Sequence, residues 1–146
     1  MSDKLILVVE DNPDHLELTV LTLEELGVKA EIAVARDGAE ALDFLFGQGI
    51  HAGRDTRRQP SFTLLDMKLP KLSGLDVLRT VRSNPLTALM PVIMLTSSSE
   101  HSDIVACYQS GANSFVRKPV DFVDFTEKLS RLQAFWLDVN ETITGS

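Results

Sequence analysis

Short apolar runs alternate with amphipathic segments along most of the chain. The unbroken apolar run at residues 5–9 is typical of a strand buried on both faces. That run and later short segments rich in apolar residues predict strands at residues 4–9, 28–35, 62–65, 91–95 and 114–117. Between and after them, apolar residues at helical spacing predict helices at residues 11–27, 39–46, 75–82, 102–110 and 122–139. Strands in alternation with helices predict an α/β fold with one parallel sheet and helices on both faces, because parallel neighbours require helical crossovers.

One connection is longer than the others. Residues 47–60 (GQGIHAGRDTRRQP) form a polar, glycine-rich segment, whereas helix-to-strand connections in α/β folds run about 2–6 residues. A tolerated surface insertion and a functional loop both remain open. The first helix is expected to begin at a cap formed by Asn12 or Asp14 and to end at Gly27.

Length and charge narrow the function classes. The 146 residues fit one compact domain. The 21 acidic and 14 basic side chains give a net charge of −7, which argues against a nucleic-acid groove. The single cysteine, Cys107, cannot form an internal disulfide and suits a reducing cytosol. The apolar run near the N-terminus is too short for a signal peptide or a membrane span. We therefore expect a cytoplasmic protein that binds neither nucleic acid nor membranes.

Chemically active side chains follow the predicted strands. Glu10 and Asp11 follow the first strand, Asp66 the third, Thr96 the fourth and Lys118 the fifth. Open parallel sheets bind ligands beyond the carboxyl ends of their strands. At a separation of about 4 Å, each pair of carboxylates would repel by roughly 4 kcal/mol, which favours a bound Mg²⁺. Asp66 can then act as a nucleophile that forms an aspartyl phosphate, with Thr96 and Lys118 holding phosphoryl oxygens.

These features resemble the receiver domains of two-component response regulators. The resemblance rests on VVEDN (residues 8–12), LLDMKLP (64–70), Gly74, LTS (95–97) and KP (118–119). It implies a doubly wound, flavodoxin-like sheet of five parallel strands in the order 2-1-3-4-5. It also implies that Asp66 is the phosphoacceptor. Glu10 (through water), Asp11, Asp66 and the backbone carbonyl of Lys68 would hold Mg²⁺, for which Mn²⁺ can substitute.

The resemblance assigns further roles. Thr96 and Lys118 would contact the phosphoryl group, and Phe115 takes the place of the aromatic switch residue on the fifth strand. Because Phe115 lacks a hydroxyl, a smaller conformational change is expected. Lys68 and Ser98 occupy positions that tune the rate of dephosphorylation, and a cis peptide bond is expected between residues 118 and 119.

Two details resemble the stand-alone response regulators of bacterial and cyanobacterial phytochromes. They are the insertion at residues 47–60 and the Phe135-Trp136-Leu137 segment, which lies beyond the usual end of a receiver. We expect a receiver domain at residues 1–134 and an extension of the last helix with a tail at residues 135–146. Phe135, Trp136 and Leu137 would form an exposed surface for a homodimer. The partner would be a phytochrome-type sensor histidine kinase.

Other functions are less well supported. A phosphatase with an aspartyl-phosphate intermediate would carry a second Asp where Lys68 stands, and a nucleotide-binding protein would carry a glycine-rich loop in place of Glu10 and Asp11. A degenerate receiver would lack part of the acidic site. We predict a single-domain response regulator that takes a phosphoryl group from a histidine kinase and slowly hydrolyses it. Its output would be protein contact or phosphorelay. His15, His51 and His101 are expected to be solvated surface residues.

Overall fold

The computed structural model describes residues 4–143. Its strands are β1 (Leu5–Val9), β2 (Glu31–Ala35), β3 (Phe62–Leu65), β4 (Val92–Thr96) and β5 (Ser114–Arg117). Its helices are α1 (Pro13–Glu25), α2 (Gly38–Phe46), α3 (Gly74–Ser83), α4 (His101–Gln109) and α5 (Phe122–Ala134). A 3₁₀ turn (Gly49–His51) follows α2, and a π-helical turn (Phe135–Val139) follows α5.

The five strands form one parallel sheet in the order β2-β1-β3-β4-β5. Side chains of a strand point alternately to its two faces, so Leu5 and Leu7 of β1 enter one core while Ile6 and Val8 enter the other. Helices α2, α3 and α4 pack on the first face, and α1 and α5 pack on the second. The predicted doubly wound α/β fold and its strand order are confirmed.

The ends of α1 explain why β2 is shorter than predicted. Asn12 is the cap, and its side-chain oxygen accepts hydrogen bonds from the backbone nitrogens of Asp14 (2.9 Å) and His15 (3.2 Å). At the other end Gly27 has a φ of 69°, and the nitrogen of Val28 bonds back to the carbonyl oxygen of Leu23. Val28 therefore belongs to the turn that ends the helix, and the strand starts at Glu31.

The last helix also departs from its prediction. A single helix was expected over residues 122–139, but the regular α-helix ends at Ala134. The π-helical turn that follows buries Leu137, which is 5% exposed, in the core beneath α1 and α5. The ammonium of Lys4 donates a hydrogen bond to the carbonyl oxygen of Leu137. The expected exposed surface is therefore wrong for Leu137, because the widened turn directs its side chain inwards.

Arg54 fastens the insertion at residues 47–60 to the end of α2. Its guanidinium lies 4.0 Å from the centre of the Phe44 ring. It also donates hydrogen bonds to the carbonyl oxygens of Phe44 (2.6 Å) and Arg58 (2.7 Å). Nearby, the buried amide of Gln59 donates to the carbonyl oxygen of Leu45. The bonds to Phe44 and Leu45 satisfy carbonyl groups that the end of α2 leaves without partners, so the insertion is a packed part of the fold.

The cysteine, the peptide bond before Pro119 and the length of the helices bear on earlier expectations. Cys107 is buried in the first core, as a small apolar residue would be. Among residues 4–143 no peptide bond is cis, so the expectation for residues 118–119 is wrong and the ordinary trans preference of an X-Pro bond holds there. The described helices include none that is both long and apolar enough to cross a membrane.

Candidate functional site

Three carboxylates converge beyond the ends of two neighbouring strands. Glu10 and Asp11 follow β1, and Asp66 follows β3. The two strands are paired in parallel up to Val9 and Leu65, which brings the residues after them to the same edge of the sheet. Carboxylate oxygens of Glu10, Asp11 and Asp66 all lie within 4.8 Å of one another. The predicted acidic cluster is therefore present in the fold.

Lys118 follows the edge strand β5, and its side chain reaches this cluster. Its backbone nitrogen donates to the carbonyl oxygen of Thr96 at 2.8 Å, which fixes the chain as it leaves β5. Its ammonium donates to the carboxylate of Glu10, and it lies 3.2 Å from a carboxylate oxygen of Asp66. The Lys118 side chain is only 9% exposed, so both contacts are shielded from water and are stronger than surface ion pairs.

Burial changes the titration of Glu10. Desolvation of its carboxyl group is the main cause that raises its pKa, and the negative charge of Asp66 adds to it. The hydrogen bond from Lys118 opposes them, and the pKa stands at about 7 instead of the ordinary 4.5. The backbone nitrogen of Asn12 also donates to Glu10, at 3.2 Å. A carboxyl group of this kind readily exchanges its proton for a cation near neutral pH.

Both carboxylate oxygens of Asp66 have a donor. One accepts a hydrogen bond from the backbone nitrogen of Lys68 at 3.1 Å, and the other faces Lys118. The start of α3 lies directly against the backbone of Asp66, because a Cβ atom at Gly74 would sit 2.2 Å from the Asp66 carbonyl oxygen. The nitrogen of Gly74 donates to the carbonyl oxygen of Met67 at 2.9 Å. These contacts fix where the Asp66 carboxylate stands.

The remaining predicted residues lie around this cluster. Thr96 is buried at the end of β4, and its hydroxyl oxygen accepts a hydrogen bond from the nitrogen of Ser98. The hydroxyl of Ser98 donates to Asp103, and the nitrogen of Phe115 donates to the hydroxyl of Tyr108. The Ser98 hydroxyl and the Phe115 backbone nitrogen thus both bond to side chains of α4.

One residue of the site was not predicted as such. His15 was expected to be an ordinary surface histidine, but its Nδ1 lies 3.4 Å from the ammonium of Lys118 and 3.9 Å from a carboxylate oxygen of Glu10. The sequence did contain a signal, since His15 lies in the first turn of the helix that follows the acidic residues. The sequence does not show which side of the helix Lys118 approaches.

The donor set suits a hard divalent cation. Three carboxylates around one ammonium leave a net charge of −2 when all are ionised, and carboxylate oxygens are the ligands that Mg²⁺ prefers. The raised pKa of Glu10 reflects, in part, the repulsion that such an ion would remove. Glu10, Asp11 and Asp66 therefore fit a metal of this class.

The comparison with known proteins agrees with this geometry. Residues 6–130 match the model of the response regulator receiver domain. The chain belongs to this family. The response regulator Rcp1 of Synechocystis sp. is 33% identical over 97% of this chain and 92% of its own length. A solved Mn²⁺-bound form of Rcp1 is 31% identical, has a TM-score of 0.86, and is matched over 95% of this chain and 98% of its own.

Two further solved structures are similar. The phosphorylated cyanobacterial phytochrome response regulator RcpA has a TM-score of 0.89 at 30% identity, over 97% of this chain and 99% of its own. The bacteriophytochrome response regulator RtBRR is 46% identical, with a TM-score of 0.75 over 100% of this chain and 87% of its own. The predicted resemblance to stand-alone phytochrome response regulators is confirmed, and this receiver domain is one of two-component signalling.

Proposed function

We propose that Asp66 accepts a phosphoryl group from a phosphohistidine of a sensor kinase. The observation that carries the proposal is the position of Asp66 within the acidic cluster, with one oxygen on a backbone nitrogen and the other facing the ammonium of Lys118. The similarity to the phosphorylated RcpA structure supports it. The kinase would be of the phytochrome type, which the similarity to RtBRR supports.

The transfer exchanges one bond for another at phosphorus. A carboxylate oxygen of Asp66 forms a bond to phosphorus while the bond from phosphorus to the imidazole nitrogen breaks, and its electron pair stays on that nitrogen. In hydrolysis, a water oxygen bonds to phosphorus and the bond to Asp66 breaks, which returns the carboxylate and releases inorganic phosphate. Small phosphodonors would serve in place of the kinase, and hydrolysis would be slow.

Three other residues would act on the phosphoryl oxygens. Lys118 would exchange its contact with Asp66 for one of these oxygens, and it needs little movement because Glu10 holds the same ammonium. The hydroxyl of Thr96 would bind a second oxygen. Phe115 would then respond to the position of Thr96, while Lys68 and Ser98 would set the access of water to the acyl phosphate.

A divalent cation would complete the site. Glu10 (through water), Asp11, Asp66 and the backbone carbonyl of Lys68 would hold Mg²⁺ or Mn²⁺, and the Mn²⁺-bound form of Rcp1 supports a metal of this class. When bound, the ion supplies positive charge to the phosphoryl oxygens as negative charge accumulates on them.

Two proposals concern the wider protein. Residues 1–134 would form the receiver and residues 135–146 an extension, in which Phe135 and Trp136 form a homodimer surface; the exposure of Phe135 (46%) supports this. A cytoplasmic location is supported by the single, buried Cys107.

A degenerate receiver that acts only through protein contacts is the alternative, and one experiment separates the two. The intact mass is measured after incubation with acetyl phosphate, with and without Mg²⁺, for the wild type, Asp66→Asn and the control Asp55→Asn, whose exposed carboxylate lies in the insertion. We expect one added phosphoryl group in the wild type and in the control, only with Mg²⁺, and none in Asp66→Asn. No gain in the wild type, from acetyl phosphate or from a purified phytochrome-type kinase, would favour the degenerate receiver.

A further inference from the structure

We propose that His15 is a positioning residue for the phosphoryl chemistry of Asp66. Its Nδ1 accepts a hydrogen bond from the ammonium of Lys118 and helps to hold that ammonium in place. The inference rests on the proposed function, because it concerns the group that would bind the incoming phosphoryl oxygens.

The ammonium of Lys118 lies among several hydrogen-bond acceptors. A lysine ammonium has three hydrogens and can only donate hydrogen bonds. Lys118 has three acceptors within reach: Glu10, Asp66 at 3.2 Å and His15 at 3.4 Å. To accept from this ammonium, Nδ1 of His15 has to be the ring nitrogen that carries no proton.

Hydrogen bonds on both sides hold the backbone of His15 in place. The backbone nitrogen of Asn12 donates a hydrogen bond to the carboxylate of Glu10 at 3.2 Å. The side-chain oxygen of Asn12 accepts a hydrogen bond from the backbone nitrogen of His15, also at 3.2 Å. The hydroxyl of Thr19 donates to the carbonyl oxygen of His15 at 2.9 Å. The cap of α1 thus connects Glu10 and His15, two of the three acceptors around Lys118, by a short path of hydrogen bonds.

Modification of Asp66 would change the set of acceptors around Lys118. The bond from Lys118 to Asp66 must then be exchanged for a bond to a phosphoryl oxygen, whereas the bonds to Glu10 and His15 can persist. Two remaining acceptors hold an ammonium in one orientation better than one does, and preorganised charge is the main source of stabilisation at such sites. Loss of the His15 acceptor is expected to slow phosphoryl acceptance.

Accessibility favours a test with a small donor. His15 and Lys118 line the same surface cleft, of about 350 Å³, between α1 and the loop after β5. The His15 side chain is about half exposed, so its replacement should leave the core of the domain unchanged. With a small donor, the measured rate of phosphorylation contains no contribution of His15 to kinase docking.

The test compares His15→Phe with His15→Asn. Phe keeps a ring without an acceptor, whereas Asn places an oxygen close to the position of Nδ1. Phosphorylation by acetyl phosphate is followed at pH 8 and saturating Mg²⁺, as a function of donor concentration. We expect His15→Phe to lower the maximal rate about 3- to 10-fold, the effect of one net hydrogen bond, and His15→Asn to restore it to within about 2-fold.

Two results would overturn the inference. Equal maximal rates for wild type and His15→Phe would show that the bond to Lys118 does not matter, and an equally slow His15→Asn would show that the ring fills space and does not act as an acceptor. Wild type that gains no phosphoryl group would contradict the proposed function and the role of His15 together. If the wild type is phosphorylated normally and either of the first two results is found, only the role of His15 is contradicted.

Discussion

The hydroxyl oxygen of Tyr108 in α4 accepts a hydrogen bond from the backbone nitrogen of Phe115 in β5, at 3.2 Å. Because β5 is at the edge of the sheet, the N–H groups on its outer side face no further strand in the part of the chain that the structure describes. Phe115 has no hydroxyl on its own ring, but a hydroxyl from α4 is bonded to its backbone. This bond ties α4 to the strand that carries the proposed switch residue.

Tyr108→Phe should loosen that tie without changing the fold. The variant keeps the ring but removes the acceptor, so the Phe115 amide should exchange its hydrogen faster, and the free energy of unfolding should fall by about 1 kcal/mol. Hydrogen exchange measured by NMR and urea denaturation would show both changes. Lys128→Met is the matched control, because Lys128 bonds to the carbonyl oxygen of Arg117 on the same edge and should leave the Phe115 amide unaffected. Unchanged exchange in Tyr108→Phe would contradict the prediction.

Stability and metal affinity should both depend on the titration of Glu10. The folded chain holds a proton on Glu10 up to a pKa of about 7, whereas the ordinary value is 4.5. Between these pH values the folded state binds more protons than the unfolded state, so without divalent ions the free energy of unfolding should decrease as pH rises from about 4.5 to 7. Apparent Mg²⁺ affinity should increase over the upper part of the same range, because binding releases the proton.

Isothermal titration calorimetry in buffers of different ionisation enthalpy would count the released protons. Glu10→Gln is the control, since it keeps the size of the side chain and removes the titrating group. We expect the Mg²⁺ affinity of this variant to lose most of its pH dependence between pH 6 and 8. If the wild type releases no proton on binding Mg²⁺ near pH 6, the pKa of Glu10 is not raised in the way described.

Arg54 and Arg57 offer a matched pair within the insertion. Arg54 stacks on Phe44 and bonds to backbone carbonyls. Within residues 4–143, the Arg57 side chain bonds only to the exposed Asp55 two positions away. Arg54→Lys keeps the charge but not the planar set of donors, and should lower the free energy of unfolding by about 1–3 kcal/mol. Arg57→Lys should change it by less than about 0.5 kcal/mol. Equal midpoints for both variants in urea denaturation would mean that the insertion is not held by Arg54.

The proposed dimer surface can be tested at Trp136. Trp136 is partly buried, and its ring meets that of Phe135 edge to face at 5.0 Å. Trp136→Gln should convert the proposed homodimer into a monomer, which light scattering would detect. Ile50→Gln is the control, because it replaces an exposed apolar side chain in the insertion, outside the proposed surface. A dimer mass that persists in Trp136→Gln would exclude this surface.

The sheet and the acidic cluster could be predicted because both follow from local pattern. A run such as residues 5–9 is apolar at every position, and a charged residue follows it where the strand leaves the core. Once the strands are parallel, their carboxyl ends must meet at one edge of the sheet, so the proximity of Asp66 to Glu10 follows from topology alone.

Other contacts depend on packing angles that no local pattern contains. The approach of His15 to Lys118 depends on the rotation of α1 about its axis, which is set by the cap at Asn12. The burial of Leu137 depends on a π-helical turn that shifts the phase of the apolar stripe, so that continuing the helix from residue 134 gives the wrong face. In both cases a small change in helical phase decides what a side chain contacts.

The close approach of Gly74 to Asp66 has a consequence for protein engineering. With no side chain between them, the strand end that carries the acceptor and the first turn of α3 touch backbone to backbone, so neither can shift without displacing the other. Transplanting the acceptor into another parallel-sheet scaffold would therefore require residues 66–74 to be moved as one block. A graft of the aspartate alone would transfer the nucleophile without the backbone contacts that align it.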